Sequence, residues 1–344
     1  MHRVILGDIM ASLEDIKSKI SRQEVIAIHD SIDALLAGNR EVAKVLRQKK
    51  AQFSAPGEYD AVMIACSDAR CEITILEDYL TNKLLVLQFA GNVVNEDMED
   101  AFACVRQKGE IIDCGHINCG ACDAKSHEDH YKGISPSIDK LLTNVEIAKK
   151  SPYAKDIFTA NAINQSEKMK HLEAVREKGV VYTPVLFDFV TANEPFKFLK
   201  DGAASTVVSK LKSNSARMLA RTKNENKSLA TQYAHAIVVS DPIDLGVVTN
   251  SRVLFDAGLN ELFCVSANGD TISTNTIASI EYALLKISGV KDFGHIVILH
   301  SHDAIAKKLK QEVLASKIIR EKTQNGVTIT LMNFNKATCE AKLS

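Results

Sequence analysis

Ala61-Val-Met-Ile-Ala-Cys-Ser-Asp68 is a short apolar run that stops at a Ser-Asp pair, and Ala234-His-Ala-Ile-Val-Val-Ser-Asp241 is a second run that stops the same way. Outward from this pair, Leu84-Leu-Val-Leu-Gln-Phe-Ala-Gly-Asn92 matches Leu262-Phe-Cys-Val-Ser-Ala-Asn-Gly269. Gly179 to Thr191 aligns without gaps to Gly326 to Thr338. Three matches in one order, so far apart, indicate a duplicated domain rather than a solenoid. In each copy the strand runs are almost continuously apolar, as parallel strands covered on both faces must be. Helical spacing of apolar residues over Ser31–Leu46 precedes the runs of the first copy, and over Thr274–Ile287 it leads to the 295–299 run of the second. This alternation predicts an α/β fold, a mainly parallel β-sheet flanked by helices, written twice in one chain. The polar stretch 201–228 is expected to carry the crossing, giving domains at 1–200 and 201–344.

The 344 residues carry a formal net charge of −1, which gives no electrostatic reason to expect nucleic acid or an anionic membrane as partner. Hydrophobic residues make up 46% and charged residues 25%, the balance of an ordinary globular protein. There is no apolar run of the roughly 18 residues that a membrane span needs. Six of the eight cysteines fall between Cys66 and Cys122. Clustering of that kind, without a secretory leader in Met1–Ser12, points to metal or redox chemistry in a reducing, cytoplasmic setting.

The cluster resolves into Cys66-Ser-Asp68-Ala-Arg70 and His116-Ile-Asn-Cys119. Two thiolates and an imidazole suit zinc, and three protein ligands leave a fourth position open for chemistry. Cys66 follows one strand run and His116 follows another, 111–114, so both fall where open α/β sheets gather ligands. Asp68 is placed to orient a metal-activated water, and Arg70 to fork onto Asp68 and hold it off the metal. If that pairing broke, Asp68 itself could take the open position. A rival local cluster, Cys114, His116, Cys119 and Cys122, would dispense with Cys66. Cys71 and Cys104 are read as packing, and His127 and His130 as a solvated loop or a proton relay.

These residues resemble the β-class carbonic anhydrases over about 28–195, through Cys66-Ser-Asp68-Ala-Arg70, Ala90-Gly-Asn92 and Gly115-His116-Ile-Asn-Cys119-Gly-Ala. The Leu36–Arg40 helix resembles the family's N-terminal arm, and Tyr182–Thr191 its terminal strand. The resemblance implies a β-carbonic anhydrase-like sheet and interconversion of carbon dioxide and bicarbonate. It also implies a dimeric unit with the site near the subunit interface. Cys66, His116 and Cys119 would be the zinc ligands, and Asp68 and Arg70 the catalytic pair. Ala69 stands where the family usually has Ser, and Gln88-Phe89 where it often has Arg-Asn.

The second copy resembles the same domain with its metal lost. Aligning the two Ser-Asp pairs puts Val239 at the Cys66 position and Ile243 at the Arg70 position. The ungapped 296–304 stretch puts Ser301 at the His116 position and Ala304 at the Cys119 position, which leaves His300 and His302 as hydrogen-bonded residues. The expectation is an intramolecular pseudo-dimer with one zinc per chain, able to form a larger homo-oligomer. Hydrolysis of carbon disulfide or carbonyl sulfide at the same site is the enzymatic alternative. A metal-stabilised redox or interaction module is the non-catalytic one.

Overall fold

The computed structural model describes residues 32–49, 59–71, 84–95, 98–189, 196–200, 209, 234–246, 251–255, 257, 260–285 and 294–344. The 201–228 stretch, apart from residue 209, therefore lies outside the described residues. Among the described residues ten strands form two sheets. The first holds β1 (Tyr59–Ala65), β2 (Leu84–Gln88), β3 (Val105–His116), β4 (Val181–Phe187) and β5 (Phe196–Phe198). The second holds β6 (Ala236–Ser240), β7 (Leu262–Ser266), β8 (His295–His300), β9 (Thr328–Asn335) and β10 (Glu340–Leu343). The helices used below are α1 (Ile32–Lys49), α2 (Gly120–Ser126), α3 (Pro136–Asn144), α4 (Ile157–Met169), α5 (Pro242–Leu245), α6 (Ser251–Leu254), α7 (Thr274–Leu284), α8 (Asp303–Ala315) and α9 (Lys317–Gln324).

The two sheets have the same strand order, β2-β1-β3-β4-β5 and β7-β6-β8-β9-β10. In each, the first four strands are parallel and the last is antiparallel to its neighbour. The apolar runs of β1, β2, β6 and β7 are buried almost throughout, because helices or the other unit cover both faces. The expected α/β architecture is therefore present in two sheet–helix units.

Strand pairing also fixes the correspondence between the units. Ala65 lies opposite Gln88 and Cys114, and Ser240 lies opposite Ser266 and Leu299. Cys114 then pairs with Val185, as Leu299 pairs with Met332. This register agrees with the sequence matches of Leu84 to Leu262, His116 to Ser301 and Phe187 to Phe334. It corrects the Ser-Asp match, which is out by two residues: Ser240 corresponds to Ala65, and Asp241, not Val239, stands at the Cys66 position. A slip of two keeps every strand side chain on its own face, so the apolar pattern alone does not detect it.

One continuous core runs through both units, with Met63, Ile64 and Leu87 in the same cluster as Phe263, Val265 and Tyr282. Across the seam, Ser266 Oγ accepts from Gln88 N and Ser279 Oγ accepts from Ala90 N, each at 2.8 Å. Helix α3 lies against α7. The buried Glu281 carboxylate on α7 accepts from Ser135 Oγ, ahead of α3, and from Ser316 Oγ, ahead of α9.

Helix α1 precedes the first sheet in sequence, yet it packs on the second. Its Leu35, Val42, Ala43 and Leu46 join Val238, Leu262, Leu299 and Phe334 in a separate core. Burying each of its larger aliphatic side chains contributes about 2 kcal/mol. Asn39, fully buried, donates to Leu254 O and Cys339 O and accepts from Ala341 N at 2.6 Å. The resemblance places this helix in the catalytic domain; by its contacts it belongs to the other unit.

Candidate metal centre

The site forms where β1 and β3 end. Cys66 follows β1 directly, and His116 is the last residue of β3. Asn118 takes a left-handed backbone (φ 53°), which turns the chain so that Cys119 caps α2. Cys66, His116 and Cys119 are all buried, and their ligand atoms lie within 4.8 Å of one another. Among the described residues this is the only group of His, Cys, Asp or Glu placed to hold a metal.

The donor set fits zinc. Cys66 Sγ and Cys119 Sγ are 4.0 Å apart, close to the ~3.8 Å expected for two thiolates on one tetrahedral zinc. His116 Nδ1 lies 2.9 Å from the Ile117 carbonyl, which accepts its proton and leaves the Nε2 lone pair free to bind metal. That Nε2 is buried without a hydrogen-bond partner, a cost that a bound cation would remove. Gly91 N donates to Cys66 Sγ at 3.3 Å. This approach requires glycine: φ is +68°, and a Cβ would sit 3.0 Å from that of Ala121. Burial pushes the Cys66 thiol well above its usual range, and the Cys122 thiol, with burial, does the same to Cys119. A metal cation is what turns such buried thiols into thiolates.

Asp68 and Arg70 form the expected pair. Asp68 Oδ1 accepts from Arg70 N and Nε, both at 2.9 Å, and Oδ2 accepts from Nη2 at 2.6 Å. The guanidinium also donates to Asn118 O at 3.2 Å and lies over the Phe189 ring, 4.9 Å from its centroid. Burial works against the Asp68 carboxylate, but the His116 ring and the Arg70 guanidinium outweigh it and hold its pKa below the ordinary range. Asp68 Oδ2 stands 3.8 Å from His116 Nε2, beside the metal position and turned onto Arg70. Phe189 flanks the His116 ring at 5.9 Å between centroids.

The rival cluster does not form. Cys114 is fully buried and its thiol turns to the Gly115 carbonyl, while Cys71 is buried beside it. Cys104 donates to Asp100 O, a packing role. All eight cysteines are free thiols. His127 and His130 are exposed and stack on each other at 6.1 Å.

Three residues at the site were not assigned to it from the sequence. Tyr282, on α7 of the second unit, is buried, and its hydroxyl pKa is raised by burial and by Cys119, Cys66 and Asp68 nearby. Gln88 Nε2 reaches the Cys66 carbonyl at 3.4 Å. Arg252, on α6, is fully buried against the turn that carries Asp68.

In the second unit Asp241 caps α5, with Oδ1 accepting from Ile243 N and Oδ2 from Gly269 N at 3.0 Å. Gly269 corresponds to Gly91, so the same backbone donor meets a carboxylate here and a thiol there. His300 Nδ1 accepts from His302 N, as expected of a hydrogen-bonded histidine. Ser301, at the His116 position, donates to Asp244, which Lys336 also engages at 2.7 Å.

The carbonic anhydrase family profile matches residues 61–184. A carbonic anhydrase of Pseudomonas aeruginosa is 31% identical over 107 residues, which cover 28% of this chain and 48% of that one. The chain thus spans about half the length of the curated relative it matches. Among solved structures, the β-carbonic anhydrase CcaA is 16% identical, covering 46% of this chain and 85% of its own, with a TM-score of 0.37. Two tetrameric β-carbonic anhydrases of Sordaria macrospora are represented by a match at 22% identity, covering 50% and 97%, with a TM-score of 0.36. Cys66, His116 and Cys119 thus converge inside the one segment, residues 61–184, that is similar to the carbonic anhydrase family.

Proposed function

We propose that this chain is a zinc-dependent carbonic anhydrase that interconverts carbon dioxide and bicarbonate at a single site in the first unit. The observation that carries the reading is the buried Cys66, His116 and Cys119 triad beside an intact Asp68–Arg70 pair. When bound, zinc supplies a water that ionises near pH 7 and positive charge for the oxygens of the product. Cys66 and Cys119 would hold it as thiolates and His116 through Nε2. Asp68 would accept a hydrogen bond from the activated water and orient its lone pair toward the carbon. Arg70 keeps Asp68 ionised and turned from the metal position. Phe189 and Tyr282 exclude bulk water, which strengthens every charge interaction inside.

The matching strand orders support a tandem repeat acting as an intramolecular pseudo-dimer, with domains at 1–200 and 201–344. The second unit offers Asp241, Ser301 and Ala304 where the first has its ligands, so one zinc per chain is expected. Among the described residues no helix is long and apolar enough to cross a membrane, and eight free thiols suit a cytoplasmic setting. Assembly of such chains into a homo-oligomer is compatible with this reading.

Stopped-flow hydration of carbon dioxide by the zinc-loaded chain, between about pH 6.5 and 9, tests the proposal. A rate above buffer that rises with pH supports it. No rate with zinc bound overturns it. Turnover of carbon disulfide or carbonyl sulfide alone would move the substrate to the sulfur analogues.

A further inference from the structure

The turn from Asp68 to Cys71 has two faces. Its side chains, Asp68 and Arg70, look into the metal centre, and the turn is closed by Cys71 N donating to Asp68 O at 2.9 Å. Its carbonyls look across the seam, and the second unit holds three of them. Arg252 Nη1 donates to Cys71 O at 2.9 Å and Nη2 to Asp68 O at 3.1 Å. Asn260 N donates to Ala69 O at 2.9 Å. The same guanidinium is anchored at the start of β7, where Leu262 O accepts from Nε and Nη2 at 3.1 and 3.0 Å.

Arg252 is fully buried. A guanidinium removed from water is stable only when its donors are satisfied in good geometry. Here the fork meets carbonyls of two units at once, which a lysine ammonium, a point donor on a flexible stem, does not reproduce. We infer that Arg252 is a positioning residue for the catalytic pair: by fixing the 68–71 turn from the second unit, it keeps Asp68 turned onto Arg70 and off the metal position. The inference rests on the metal reading above and adds to it a role for the second unit. Arg252 touches no reacting atom; it acts through the backbone of Asp68.

The test is made on the full chain loaded with cobalt in place of zinc, comparing wild type with Arg252→Lys. Thiocyanate is titrated while the visible spectrum is followed. With Asp68 held on Arg70 the fourth position is open, and the wild-type spectrum responds to thiocyanate. In Arg252→Lys the metal content stays at the wild-type level, the response to thiocyanate is lost, and kcat/KM for carbon dioxide falls on the order of 100-fold. A lysine variant that holds cobalt and responds as wild type does would overturn the inference, even if it unfolds more easily. So would a wild-type spectrum that ignores thiocyanate. Arg252→Gln, which removes the buried charge and keeps one donor arm, gives the same reading should the lysine variant fail to fold. Because the spectrum requires no turnover, a chain inactive on carbon dioxide in both forms would refute the proposed reaction and still decide the role of Arg252.

Discussion

Gly91 and Gly269 occupy the same place in the two units and each donates its backbone N–H to the residue that follows the first strand. In one unit that residue is Cys66; in the other it is Asp241. The scaffold is held in common down to a single donor, while the acceptor has changed from a soft metal ligand to a hard helix cap. Around Cys66, His116 and Cys119 complete a buried group that could hold a cation. Around Asp241 no such group is found among the described residues, and burial pushes its carboxyl up to about 6, against backbone donors that favour the charge. Asp68 has the opposite fate, since Arg70 is there to hold it ionised. The lesson is that the backbone frame outlasts the chemistry. The first unit invests its buried polar groups in a site; the second turns them inward, on its caps, or outward, on its neighbour.

The sharpest way to break the comparison is Cys66→Ala. Bound zinc should fall from one per chain to none, as metal analysis would record, because the described residues of the second unit offer no replacement. Installing a second site is the converse. Asp241→Cys with Ser301→His and Ala304→Cys follows the strand register and should raise the capacity toward two metals per chain. The alternative triple, with Val239→Cys in place of Asp241→Cys, should not, and the reverse result would restore the Ser-Asp alignment. A smaller effect is expected where metal is kept and only orientation is lost. Asp68→Asn should lower kcat/KM by about 10²- to 10⁴-fold with zinc content unchanged.

The smallest effect is on stability. Asp241 titrates near 3.8 when unfolded and near 6 when folded. Its protonated form is thus favoured by folding, and that contribution is present below pH 3.8 and is lost as pH rises through about 6. The shift corresponds to about 3 kcal/mol. Denaturant unfolding should therefore find Asp241→Asn gaining about that much on wild type between acid and neutral pH. A difference that does not vary with pH would place Asp241 in a solvated setting.

Cys66 and His116 were legible because each sits at the end of an apolar run, which is visible in sequence, and Cys119 because of its spacing from His116. Strand β3 was legible only in its 111–114 core: its first half, with exposed Arg106, Gln107 and Lys108, carries no apolar signal, yet Val105 pairs with Tyr59. The apolar stripe of α1 announced a buried face but not which core it enters, since helical periodicity carries no address. The Ser-Asp match misled because a dipeptide weighs little against strand register, and a slip of two leaves the pattern intact. Tyr282 and Arg252 were invisible for a different reason. Their roles exist only once α6 and α7 are brought against a turn far earlier in the chain.

That last arrangement bears on how the protein behaves when diluted. A site completed by a separate subunit is lost when the subunits part. Here Arg252, Asn260 and Tyr282 are tethered to the residues they support, and a connected segment meets its target at an effective concentration of order millimolar. Specific activity should hold constant down to the lowest concentration that can be assayed.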